Sequence, residues 1–167
     1  MKKIIIVNYG LGNVNSVFRK ISRLGIHSEI SDNPTSILKA DKIILPGVGH
    51  FRKAVENLQI SGIWHALNEA VLVKKTPVLG ICLGMQLMTK NSEEGDVEGF
   101  GWFNARVVRF RVQDTLKHKV PHMGWNSIKP MKSSKLMNDL PETPGFYFVH
   151  SYHAVAEKPD EVLATSV

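Results

Sequence analysis

The chain has 167 residues, 43% apolar and 22% charged, and carries a net charge of +6. That size and composition fit one globular domain with a substantial core, above the range that needs disulfide or metal staples. Its single cysteine rules out an internal disulfide and fits a reducing cytoplasm, and no apolar run reaches the roughly 18 residues of a membrane helix.

KKIIIVN at the start is a strand, with the continuous apolar run expected when both faces are covered. It is too short for a signal peptide and no small-residue cleavage site follows. Val14, Val17, Phe18, Ile21 and Leu24 then recur at helical spacing, with Gly25 as the stop. HSEI gives a short second strand, and DNPTSIL a short helical piece after a turn. DKIILPGVG gives a third strand ending in a Pro-Gly loop. Residues 51 to 75 carry one or two helices with a break at Ser61-Gly62, TPVLGI is a fourth strand, and a helix follows from Leu83.

Repeated strand–helix units predict an α/β fold, a mostly parallel sheet with helices on both faces. Ligands of such sheets bind at the carboxyl ends of the strands. Those ends fall at residues 8–12, 46–49 and 80–82, all rich in glycine. Further on, WFNARVVRFRV, NSIKP, GFYFVHSYH and EVLATSV read as short strands, which predicts a small mixed or antiparallel extension. No repeat or linker divides the chain, so residues 1–167 read as one domain. The final strand runs to the last residue, so the domain is expected to lack its C-terminal segment.

The basic residues are dispersed over the first helix, the 102–112 strand and the 129–135 region. No RNP-like strand or zinc-finger spacing accompanies them, so no nucleic-acid partner is expected. NYGLGN has Asn15 where a dinucleotide fingerprint needs its third glycine, which excludes a nicotinamide cofactor. A functional loop and a plain turn both fit it. His150 and His153 are spaced H-x-x-H on what reads as one strand, so they should point to opposite faces. No metal is expected. His50 and His122 fall in glycine-containing loops.

The one cysteine sits in GICLG, between Gly80 and Gly84. G-x-C-x-G after an apolar strand has the form of a nucleophile elbow with cysteine in place of serine. A sharp strand-to-helix turn would expose the thiol, and the glycines would keep Cβ atoms out of that turn. The helix N-terminus favours thiolate, and the Leu83 N–H would point at a developing oxyanion. A small buried cysteine is the structural alternative. PGVGHF likewise reads as a plain turn or as a loop offering N–H groups to a substrate oxygen.

PGVGHF, GICLGMQ, KVPHMGWN and FYFVHSYH together resemble the class I glutamine amidotransferases. Among these they are most similar to the glutaminase subunit of imidazole glycerol phosphate synthase. The resemblance spans essentially the whole chain and implies a flavodoxin-like fold of the amidotransferase type. It implies that Cys82 attacks the carboxamide carbon of glutamine, releasing ammonia and leaving a thioester. Gly47, Val48 and Gly49, with the Leu83 N–H, would form the oxyanion hole. Gln86, Ser151 and Tyr152 would hold the substrate. His122, Met123 and Trp125 would face a synthase of (β/α)₈-barrel type in a heterodimer. The family's base and its orienting acid, in a His-Pro-Glu motif, do not occur in residues 1–167. Without them the chain is expected to be inactive as a glutaminase. A peptide flip in the PGVG loop would serve as an off switch, because losing one oxyanion donor costs about 3 to 4 kcal/mol.

Other functions share these residues. The same chemistry could serve another synthase, such as one aminating surface sugars. A cysteine hydrolase of another class would use a similar elbow, although Gln86 and the VHSYH strand speak against it. A non-catalytic binding subunit is the third.

Overall fold

In the computed structural model, which describes residues 2–113 and 119–166, the alternation builds a four-stranded parallel sheet. β1 (Ile4–Val7) lies between β2 (Glu29–Ser31) and β3 (Lys42–Gly47), and β4 (Val78–Cys82) follows beside β3. Side chains alternate between faces along each strand. Ile5, Val7, Ile43 and Leu45 are buried on one face beneath α2 (Pro34–Leu38), α3 (Phe51–Ile60), α4 (Ile63–Asn68) and α5 (Leu83–Leu87). The other face carries α1 (Val14–Arg23), packed over β1, β2 and β3. Coverage there stops short of β4, whose Leu79 and Ile81 share that face with Ile6 and Ile44 and stay exposed. β4 is therefore less buried than its apolar sequence predicts.

The helix boundaries follow from their caps. Asn13 and Asn33 accept from the first free N–H groups of α1 and α2. Gly25 (φ +72) follows α1, and Gly62 (φ +74) makes the break between α3 and α4. α4 runs on through a π-helical turn over residues 69–73. α5 begins at Leu83 as expected and is five residues long.

The second half adds the expected mixed or antiparallel extension, as two smaller sheets. β5 (Asn91–Ser92), β6 (Val97–Glu98), β7 (Ala105–Arg109) and β10 (Tyr152–Ala156) form a mixed sheet in the order β10-β7-β5-β6. β8 (His122–Pro130), β9 (Gly145–His150) and β11 (Ala164–Ser166) form an antiparallel one in the order β11-β8-β9. Val167, the end of the expected last strand, lies outside the described residues.

Two expectations are corrected. GFYFVHSYH is not one strand: the chain turns at Ser151, whose carbonyl accepts from the Phe110 N–H at 3.0 Å, and β9 and β10 join different sheets. NSIKP is only the end of a nine-residue β8 that begins at His122. Pairing with β9, register Met123↔Val149 and Trp125↔Tyr147, makes HMGWN a strand where its glycine suggested a loop.

Candidate active site

The carboxyl ends of β1, β3 and β4 lie side by side, because these strands are consecutive in the sheet. Cys82 ends β4 with φ 53 and ψ −119 and opens α5. A non-glycine residue rarely holds that backbone conformation, and its occurrence at an exposed thiol points to function. The turn is tight enough to need both flanking glycines. A Cβ on Gly80 would come within 2.6 Å of Met85 Cα, and one on Gly84 would run into the Leu45 carbonyl oxygen. The first residues of α5 offer the Leu83 N–H, but one and a half turns of helix give a smaller end charge than a long helix does.

Gly47, last in β3, is the register partner of Cys82. A side chain there would collide with the Tyr9 hydroxyl and press within 3.0 Å of Leu83 Cβ. Gly12, in the loop after β1, is equally close: its Cβ would lie 3.1 Å from Gly47 Cα. NYGLGN thus braces the 47–49 loop. Val48 is exposed and Gly49 has φ +127. The far end of that loop is pinned by Glu94, whose carboxylate accepts from the Phe51 N–H at 2.9 Å where α3 begins.

Tyr9 is 4% exposed, and its hydroxyl is buried with no hydrogen-bond partner. Burial, with Cys82 beside it as a smaller cause, holds the phenol well above the usual tyrosine range. It stays an O–H and lies beside the Gly47 backbone.

On the other side of α5, Gln86 lies one turn after Cys82. Its amide donates to the Tyr152 carbonyl at 3.3 Å. The same carbonyl accepts from His150 Nδ1 at 2.7 Å, and His150 Nε2 lies 3.1 Å from His122 Nδ1. Ser151, half-buried, makes the turn between β9 and β10. A cleft of about 1680 Å³ begins at Gly80 and Met85 and extends to Phe103, Phe110, His150 and His153.

His150 and His153 do not point away from each other as one-strand spacing predicts. Both flank Phe110, at 5.1 and 4.4 Å between ring centres. Burial lowers the His153 pKa, and His150 adds to this while Glu93 opposes it. Among the described residues no group of three His, Cys, Asp or Glu could hold a metal, and no helix is long and apolar enough to cross a membrane.

With this geometry the similarities can be weighed. Residues 5–167 match the family model for glutamine amidotransferase class-I. The chain belongs to the class I glutamine amidotransferases. It is 45% identical over 163 residues to imidazole glycerol phosphate synthase subunit HisH 2 of Methanococcus maripaludis, covering 98% of this chain and 80% of that one. HisH 2 of Pseudomonas aeruginosa is 42% identical over 160 residues, 96% of this chain and 78% of its own. A solved glutamine amidotransferase shares the fold at a TM-score of 0.70 and 17% identity, covering 96% of this chain and 78% of its own. One from Thermotoga maritima does so at 0.59 and 17%, covering 93% and 63%.

In this amidotransferase, Gly47 pairs with Cys82 and Val48 and Gly49 follow it in the loop, while Leu83 is next to Cys82 and Gln86 one turn on, with Tyr152 joined to Gln86. Met123 and Trp125 stand apart on an exposed face of β8, and His122, next to them in sequence, turns to the opposite face toward His150. Sequence reasoning missed Tyr9 and Glu94, and it weighed His150 only beside His153, without its link through the Tyr152 carbonyl to Gln86. Tyr9 carried one signal, an aromatic inside a glycine loop at the end of a core strand.

Proposed function

We propose that this chain is the glutaminase subunit of an imidazole glycerol phosphate synthase, working in the cytoplasm as a heterodimer with a (β/α)₈-barrel synthase. The observation that carries the chemistry is the exposed Cys82, held at φ 53 one strand over from Gly47. The names of relatives at 42 to 45% identity support the assignment to histidine biosynthesis.

Cys82 Sγ attacks the carboxamide carbon of glutamine, and the carbonyl oxygen becomes an oxyanion. Leu83 N–H and the backbone of Gly47, Val48 and Gly49 stabilise that charge. The C–N bond then breaks, the nitrogen leaves with a proton as ammonia, and a glutamyl thioester remains on Cys82. Water hydrolyses the thioester to glutamate and frees the thiol. Proton transfer in these steps needs a base with a carboxylate behind it. Among the described residues no histidine is hydrogen-bonded to Cys82, and the family's His-Pro-Glu motif is not in residues 1–167. Gln86 and the backbone of Ser151 and Tyr152 hold the amino-acid end of the substrate.

Met123 and Trp125 form the partner face, together with Tyr147 and Val149 directly across the β8–β9 ribbon. All four are exposed, and Trp125 packs edge-on to Tyr147 at 5.8 Å. A cluster of large apolar side chains on a ribbon suits the centre of an interface.

The test is covalent labelling by a diazoketone analogue of glutamine, followed by mass. Saturable modification at Cys82, lost in Cys82→Ala and slowed by glutamine, is expected. Labelling that does not saturate, or that persists in Cys82→Ala, overturns the reading.

A further inference from the structure

A row of five polar groups runs from the strand bearing Trp125 to the helix bearing Cys82. Asn126 Nδ2 lies 3.4 Å from His122 Nε2, and His122 Nδ1 lies 3.1 Å from His150 Nε2. His150 Nδ1 lies 2.7 Å from the Tyr152 carbonyl, to which Gln86 also donates at 3.3 Å.

The last acceptor fixes the direction of the whole row. A carbonyl can only accept, so His150 carries its hydrogen on Nδ1. A neutral His150 then accepts at Nε2, so His122 must donate from Nδ1. That leaves His122 Nε2 as an acceptor for the Asn126 amide. Aromatic neighbours hold both rings: His122 stacks on Phe148 at 5.0 Å, and Phe110 meets His150 edge-on at 5.1 Å.

We infer that His122 and His150 are positioning residues, which hold the Tyr152 carbonyl and through it the Gln86 amide, so that β8 sets the glutamine-binding side of α5. This rests on the glutaminase reading. Alternation along β8 gives the row its second end. His122 and Asn126 face inward, while Met123 and Trp125 on the same strand face outward and exposed. A displacement of β8 by a docked partner is therefore carried to the Tyr152 carbonyl by hydrogen bonds rather than by loose packing.

His122→Phe and His150→Phe keep an aromatic ring at each position and cut the row, while His122→Asn keeps a donor near the Nδ1 position. In Cys82 labelling by the diazoketone analogue, both Phe variants should raise the half-saturating concentration about fivefold, the scale of one lost hydrogen bond. The maximal rate and the reactivity toward iodoacetamide should hold, and His122→Asn should recover most of the loss. An unchanged half-saturating concentration in the Phe variants, with saturation intact in the parent chain, overturns the inference and leaves the glutaminase reading standing. Absence of saturation in the parent chain defeats that reading instead. Imidazole nitrogen NMR then decides the row independently: Nδ1–H on both His122 and His150 supports it, and Nε2–H on either overturns it.

Discussion

Gly47 and Cys82 stand opposite each other at the ends of neighbouring parallel strands. The proposed nucleophile and the loop proposed to hold its oxyanion are therefore placed by one element of sheet register. Their approach depends on missing side chains: a Cβ on Gly47, Gly80 or Gly84 would meet Tyr9 and Leu83, Met85, or Leu45. The site is built by close backbone packing, with the strained φ of Cys82 held in place by it.

Gly84→Ala tests this packing. Its Cβ would run into the backbone carbonyl of Leu45, which cannot swing aside as a side chain end could. Overpacking of this kind costs about 1 to 3 kcal/mol. Denaturant unfolding should show at least that loss, together with slower labelling of Cys82. Gly145→Ala, whose added Cβ meets nothing within 4 Å, should unfold with the parent chain. Equal midpoints for the two variants would contradict the geometry.

Tyr9→Phe should separate stability from reactivity. The hydroxyl is buried without a partner, and an unsatisfied buried group costs about 1 to 3 kcal/mol. Its removal should raise the melting temperature. The hydroxyl also lies against Gly47, so it supports the loop proposed to hold the oxyanion and its loss loosens that packing. Labelling by the diazoketone analogue should then be slower in the more stable variant. A variant that is less stable, or equally fast, argues against this role.

The sequence reveals the site where local rules suffice. Strand–helix alternation and the spacing of glycines around Cys82 are readable from short windows, and they place Cys82 and the 47–49 loop at adjacent strand ends. The β8–β9 ribbon is different. Its register joins His122 to His150, 28 positions apart, and no local pattern signals a non-local pairing that overrides a glycine. The turn at Ser151 is set by Phe110 in the same non-local way. β5 and β6, two residues each, are too short to show any period. Tyr9 is hidden for another reason: the pattern of a loop does not tell whether its aromatic points inward.

Acid should loosen the sheet that holds β10. His153 has a folded pKa below its ordinary value, chiefly through burial. The unfolded chain, where the imidazole titrates near about 6.5, therefore binds more protons at lower pH. Its contribution is fully present above that value and falls away as pH drops through the folded pKa. His153→Gln should flatten the decline in unfolding free energy below about pH 6.5 relative to the parent chain. Parallel pH profiles for the two proteins would exclude His153 as the source.

Trp125→Ala should separate partner binding from folding. Trp125 is 77% exposed and packs edge-on to Tyr147 across the ribbon, so its removal should shift unfolding by no more than about 0.5 kcal/mol. A large aromatic at the centre of an interface commonly contributes at least about 2 kcal/mol to binding. Association with the proposed synthase partner, read by calorimetry, should weaken about thirtyfold. Because Trp125 faces away from the His122–His150 row, saturable labelling of the isolated chain should be unaffected. A Trp125→Ala chain that binds the synthase as tightly as its parent would move the interface off the β8–β9 ribbon. A change in half-saturation without the partner would mean that this ribbon is coupled to Cys82 through its outer face as well.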